Sequence, residues 1–157
     1  MTVETIAVIG SGLMGRGIAH AAATGGFRTL LHDVSREALD RALGQVRADL
    51  DEGVVRGKLS KENAAASMAR LAAEPDLERA AAAADFVIEA VPEVMDFKLK
   101  VFARLDELCA EAVVLASNTS SLSVTEIAAA TRRSPHVKAG RLGRKVGRGV
   151  YDYSGRD

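Results

Sequence analysis

The chain reads as an α/β domain built on a doubly wound parallel sheet, and three observations lead there. Short apolar runs rich in branched residues alternate with helix-length segments, at roughly 20–30-residue spacing. The runs lack the polar alternation of a half-solvated sheet, so they read as strands covered on both faces. The first of them ends in a glycine cluster that opens a helix. Right-handed crossovers then wind helices onto both faces and leave ligands at the carboxyl ends of the strands.

Each element has its own signal. "ETIAVIG" (4–10) is a buried strand ending in glycine, and "LMGRGIAHAAATGG" (13–26) is a helix closed by paired glycines. "FRTLLHD" (27–33) is the second strand. Ser35 caps a long helix whose Leu39, Leu43, Val46 and Leu50 form one apolar stripe, with Gly53 and Gly57 expected to break it. Ser60 caps a short helix, residues 71–73 make a weak third strand, and 76–83 is an alanine-rich helix. "DFVIEAV" (85–91) is the fourth strand. A helix follows from Pro92, with Phe97, Val101, Leu105 and Leu108 expected on its inner face. "AVVLAS" (112–117) is the fifth strand, and Ser123-x-x-Glu126 is a capping-box pattern opening a last helix to about Ala130.

Gly10-Ser11-Gly12-Leu13-Met14-Gly15 is a G-x-G-x-x-G in the context that gives the motif meaning, between a strand and a helix. Gly10 makes the tight turn, Gly12 lets a pyrophosphate approach the backbone, and Gly15 lets the helix lie close to the sheet. The helix N-terminus supplies free N–H groups and a positive dipole end. Asp33, at the end of the second strand, stands where a carboxylate accepts hydrogen bonds from the adenosine ribose hydroxyls. Its charge repels a 2′-phosphate and so favours NAD over NADP, although Arg36 lies close by. The competing reading gives the glycines to a tight turn and Asp33 to a local cap. Strand, loop, helix and acid in register favour the dinucleotide.

Composition narrows the remaining classes. Hydrophobic residues make up 48% and charged residues 27% of 157 residues, as in a globular domain. Cys109 is the single cysteine, so no internal disulfide forms and a cytoplasmic setting is expected. His20, His32 and His136 have no metal-ligand spacing, and no metal is expected. There is no membrane-spanning run and no signal-peptide pattern. The net charge is zero but uneven: residues 136–157 hold six Lys/Arg against two Asp. That tail, with Tyr151 and Tyr153, is the one segment with a case for nucleic acid, which the acidic remainder argues against.

The stretches "IAVIGSGLMGRGIAHAAATGGFRTLLHD", "DFVIEAVPE", "VFARLDELC" and "LASNTSSLSVTEIAAATRR" resemble the NAD-binding (Rossmann) domain of L-3-hydroxyacyl-CoA dehydrogenases, most closely the 3-hydroxybutyryl-CoA type. The resemblance runs from about residue 5 to 135, giving a nucleotide domain over 1–135 and a basic tail over 136–157. It implies NAD held by residues 10–15 and Asp33, with Glu93 and Lys98 at the nicotinamide side. Ser120 matches the serine that touches both cofactor and substrate oxygen, and Arg56 is a weaker candidate for the CoA phosphates. An acyl-CoA substrate of fatty-acid metabolism and a homo-oligomer are the partners it implies. On the residues alone, Glu93 and Lys98 could equally be first-turn surface charges, and Ser120 could serve a local backbone turn.

The tail "KAGRLGRKVGRGVYDYSG" resembles the end of the same family's chain, where Lys145 matches a lysine that returns to the cofactor. The family's HFFNP-like histidine, the general base that pairs with a glutamate, has no match here, and His136 fits neither its position nor its neighbours. The helical substrate domain is expected to be absent, the strand at 112–117 to become an exposed sheet edge, and turnover to be weak or nil. A non-catalytic NAD-binding or interaction module is the alternative.

Overall fold

The computed structural model of the protein describes residues 2–133. In chain order the elements are β1 (Thr5–Ile9), α1 (Leu13–Thr24), β2 (Arg28–His32), α2 (Arg36–Val55), α3 (Lys61–Arg70) and β3 (Leu71–Ala73). They continue with α4 (Leu77–Ala83), β4 (Phe86–Glu89), α5 (Met95–Leu108), β5 (Val114–Ser117) and α6 (Val124–Ala129). All strand pairs are parallel, in the order β3-β2-β1-β4-β5. The order reverses at β1, which lies between β2 and β4, and this switch point opens a cleft at the carboxyl end of the sheet.

β1 is buried along its whole length. Its side chains alternate between two cores. Ile6 and Val8 pack with Ala19 and Ala23 of α1 and with Leu39, Val46 and Leu50 of α2. Ala7 and Ile9 pack with Ala80 and Ala81 of α4 and Leu105 of α5. A strand covered on both faces has no polar face to show, which is why these runs are continuously apolar. In register, His32, Ile9, Glu89 and Ser117 form one row across the carboxyl ends of β2, β1, β4 and β5. Of that row, His32 and Ile9 line the cleft, while Glu89 lies buried beneath it.

The caps fall where short polar side chains precede apolar stripes. Ser35, Ser60 and Ser123 accept hydrogen bonds from the N–H groups of Ala38, Asn63 and Glu126 at 3.2, 3.1 and 3.2 Å. Asp76 does the same for α4, from Glu78 at 2.8 Å. The return bond expected of Glu126 is absent among the described residues, so α6 has half a capping box.

Two expectations need correction. α2 passes through Gly53 and ends at Val55, and the break comes at Gly57, whose φ of +67° is left-handed. One helical glycine costs only about 1 kcal/mol against alanine, and the buried stripe of α2 outweighs it. Val101, Leu105 and Leu108 of α5 pack against the second core as expected, but Phe97 is 51% exposed, and Lys98 and Phe102 are buried instead. Lys98 takes the inward place because a buried carboxylate on β4 requires a cation there.

β5 is the last strand of the sheet among the described residues, as expected of an edge, and Val114 is 45% exposed. Its start is fixed by Arg133, whose guanidinium donates to Asp106 Oδ1 at 2.7 Å and to the carbonyls of Cys109, Glu111 and Val113 at 2.7–2.9 Å. Three otherwise open carbonyls of the α5–β5 turn are thereby satisfied. The tail, with Lys145, His136, Tyr151 and Tyr153, lies outside the described residues.

Leu31 of β2 is fully buried in the first core. Leu31→Ala is expected to cost about 2–5 kcal/mol, read as a lowered midpoint of urea unfolding with little change in slope.

Candidate functional site

The turn from β1 into α1 is shaped by glycines. Gly10 has φ +104°, and a Cβ there would meet the Ala90 carbonyl oxygen at 2.7 Å. A Cβ on Gly15 would lie 1.8 Å from the Gly10 carbonyl oxygen, so the helix could not sit where it does. Gly12 differs: a Cβ there would meet nothing within 4 Å and would project into open space at the helix start. α1 has no side-chain cap and no acidic residue in its first turn. Its first N–H groups are therefore left for a ligand, and an anionic group fits the space that a Cβ on Gly12 would take.

Asp33 stands on the β2 side of this turn. Its Oδ2 accepts from both the backbone N–H and the hydroxyl of Ser11, at 2.8 and 2.7 Å. Its Oδ1 accepts from the Ser35 N–H at 3.1 Å and retains acceptor capacity. Partial burial pushes the carboxyl up, but the Ser11 and Ser35 bonds outweigh it and hold the group below the usual aspartate range. Ser11 thus ties the glycine turn to the acid, and Asp33 remains ionised.

Across the switch point lies a polar network that spacing did not reveal. Glu89 closes β4 and is fully buried, as is Lys98 of α5. The Lys98 ammonium donates to Glu89 Oε1 and Oε2 at 2.7 and 3.0 Å and lies 3.1 Å from Glu93 Oε2. Its three protons are thereby accounted for. Glu89 also accepts from the Val91 N–H at 2.7 Å and the Ser117 hydroxyl at 2.6 Å, which ties β4 to β5. Glu93, with a side chain 40% exposed, accepts from the hydroxyls of Thr119 and Ser121 as well as facing Lys98. Thr119's hydroxyl, with Lys98 and Ser121, holds the Glu93 carboxyl down at about 2.

The two halves share one cleft of about 830 Å³. Gly10, Gly12, Leu13, Met14 and Asp33 line one part of it, and Glu93, Asn118, Thr119 and Ser120 another. Its size suits a nucleotide-scale ligand.

The NAD-binding domain of 3-hydroxyacyl-CoA dehydrogenases matches this chain over residues 5–139. The chain belongs to that family. It is 46% identical over 137 residues to 3-hydroxyadipyl-CoA dehydrogenase of Escherichia coli K12, covering 87% of this chain and 29% of that protein. It is 40% identical to 3-hydroxybutyryl-CoA dehydrogenase of Clostridioides difficile, over 84% of this chain and 47% of that one. The crystal structure of an Escherichia coli 3-hydroxybutyryl-CoA dehydrogenase superposes with a TM-score of 0.83 at 46% identity, over 85% of this chain and 28% of that one. The chain thus spans less than half the length of these relatives. Family membership makes NAD its cofactor, in agreement with the glycine turn and Asp33.

Of the residues expected at the site, 10–15, Asp33, Glu93 and Ser120 lie around the cleft or support its wall. Lys98 does not line it, being fully buried behind Glu93. Arg56 is at the far end of α2, paired with Glu52 at 2.5 Å. Glu89, Ser117, Thr119 and Ser121 were missed. A signal for Glu89 was present, since a carboxylate ending a doubly covered strand demands a partner.

Two outcomes follow from the network. Lys98→Met leaves Glu89 buried without its cation and is expected to cost about 3–5 kcal/mol, while Glu89→Leu with Lys98→Met recovers most of it in a double-mutant cycle. Glu93 has a folded pKa near 2 against an ordinary 4.5, so its contribution is present above about pH 4.5 and is lost as pH falls toward 2. Glu93→Gln is accordingly expected to lose less stability than the wild type over that interval in acid-unfolding curves.

Proposed function

We propose that this chain is the nucleotide-binding part of an NAD-dependent 3-hydroxyacyl-CoA dehydrogenase acting on an acyl-CoA of fatty-acid metabolism. The observation that carries the reading is the open N-terminus of α1 above Gly12, flanked by Asp33 just beyond β2 and Ser120 beyond β5. Bound NAD would supply the hydride acceptor for oxidation of a 3-hydroxyl group.

The residues divide the work of binding. The first N–H groups of α1 hold the pyrophosphate, aided by the dipole. Asp33 orients the adenosine ribose, while Ser11 fixes its carboxylate and the turn together. Glu93 and Ser120 stand at the nicotinamide end, Ser120 within reach of a substrate oxygen, and Lys98 supports Glu93 from behind. The lone buried thiol of Cys109 accords with a cytoplasmic setting. Among the described residues no helix is long and apolar enough to cross a membrane.

A general base is not supplied by the histidines of the described residues. His20 is on α1 and does not line the cleft, and His32, whose Nδ1 is engaged with the Glu74 carbonyl at 2.9 Å, lines it on the β2 side, across the switch point from Glu93 and Ser120. The 157-residue chain is therefore expected to bind nucleotide and turn over little, since loss of a general base costs about 10²–10⁴-fold in rate.

Calorimetric titration with NADH near neutral pH tests the reading. Saturable binding that Asp33→Ala weakens by about tenfold supports it, and a folded chain that binds neither NADH nor NAD+ refutes it. Oxidation of NADH by acetoacetyl-CoA at the rate of a complete dehydrogenase would overturn the low-turnover expectation alone.

A further inference from the structure

The cleft has an unusual charge balance for a site that takes a pyrophosphate. Among the described residues that line it, Asp33 and Glu93 are the charged side chains of fixed sign, and both are anionic. Among its described lining residues, backbone N–H groups at the start of α1, and no lysine or arginine side chain, face the space for a pyrophosphate, while Arg16 and Arg41 line the adjoining hollow that shares Gly12, Leu13 and Asp33. Asp33 lies on the β2 side, so a dinucleotide bridging the switch point carries its second nucleotide over β4 and β5. Glu93, Asn118, Thr119 and Ser120 stand on that side.

NAD+ and NADH share their pyrophosphate and adenosine, and differ at the nicotinamide ring, which is cationic when oxidised and neutral when reduced. A fixed charge at that end discriminates between them, whereas contacts at the adenosine end do not. Glu93 is such a charge. Lys98 cannot neutralise it fully, because the same ammonium lies 2.7 and 3.0 Å from both oxygens of Glu89. The three groups together carry one net negative charge, and Glu93 is the member that reaches the cleft. The groups facing it from β5's following loop, Thr119 and Ser121, are neutral hydroxyls that donate to the carboxylate and keep it ionised.

We propose that Glu93 sets the redox-state preference of the cofactor site, holding the oxidised, cationic nicotinamide more tightly relative to the reduced form than a neutral residue would. This rests on the dinucleotide reading of the cleft and goes beyond it, since that reading treats the two forms alike. Lys98 and Glu89 act through Glu93: they fix its position and leave its charge in excess.

The test is titration of the full chain with NAD+ and with NADH, near pH 7 and at low ionic strength, followed by calorimetry. Glu93→Gln, which keeps an acceptor for Thr119, is expected to weaken NAD+ about three- to tenfold while changing NADH less than about twofold. Glu93→Asp keeps the charge and is expected to stay closer to the wild-type ratio than Gln does. Asp33→Asn weakens both forms alike, and about 0.5 M salt moves the wild-type ratio toward that of Glu93→Gln. An equal effect of Glu93→Gln on both nucleotides, or none on either, overturns the proposal and leaves the dinucleotide reading standing. Wild-type protein that binds neither form overturns both.

Discussion

The close approach of three backbone segments at the top of β1 governs the rest of this structure. Gly10 packs against the Ala90 carbonyl beyond β4, and the backbone of Gly15 lies against the Gly10 carbonyl. Neither contact leaves room for a Cβ, so the turn, the first helix and the fourth strand must be set together. Once they are, β1 has β2 on one side and β4 on the other, and the reversal of strand order opens the cleft. The same crowding aims the N-terminus of α1 into that cleft. A single steric constraint thus fixes both the topology around the switch point and the direction of the helix dipole.

The second half of the site depends on a different kind of force. Burying Glu89 and Lys98 together costs desolvation, which their short bonds and the added donors Val91 and Ser117 offset. Such a pair contributes little net stability compared with well-packed apolar residues, and breaking it is costly. Its contribution here is geometric. It fixes the end of β4 to α5 and β5, and it places Glu93 at the mouth of the cleft with its charge only partly balanced. On the other side, Ser11 and Asp33 make the corresponding connection between the glycine turn and β2. Both walls are therefore held by carboxylates, one bonded mainly by backbone and hydroxyl donors and the other sharing an ammonium.

Family membership and this geometry assign complementary parts of the site. The glycine turn and Asp33 have the geometry that a dinucleotide requires, and the match over residues 5–139 identifies the cofactor as NAD. The β4–α5 loop and the segment after β5 form the opposite wall of the cleft, with Glu93, Asn118, Thr119 and Ser120. The row of Glu89 and Ser117 holds them together: parallel pairing in register brings residues 28 positions apart into direct hydrogen bonding beneath the cleft.

Strand and helix order, the three serine caps and the glycine turn with its acid were all legible in the sequence, whereas the Asp76 cap of α4 was not read there. Each rests on a local requirement: branched residues on a covered strand, a short polar side chain before a helix, or a glycine where a Cβ cannot fit. What sequence alone missed depends on which distant residues meet. Phe97 looked inward by periodicity, yet at the start of α5 it is Lys98 that turns inward to Glu89, a pairing that exists only once β4 and α5 are packed, while Val101, Leu105 and Leu108 keep the expected face. The Arg133 clamp likewise joins Asp106 to the carbonyls of a turn more than twenty residues earlier. Local chemistry determined the architecture and the glycine-turn end of the cleft. Tertiary packing decided the charge arrangement at the other end, because a buried charge takes its place from its partner rather than from its neighbours in sequence.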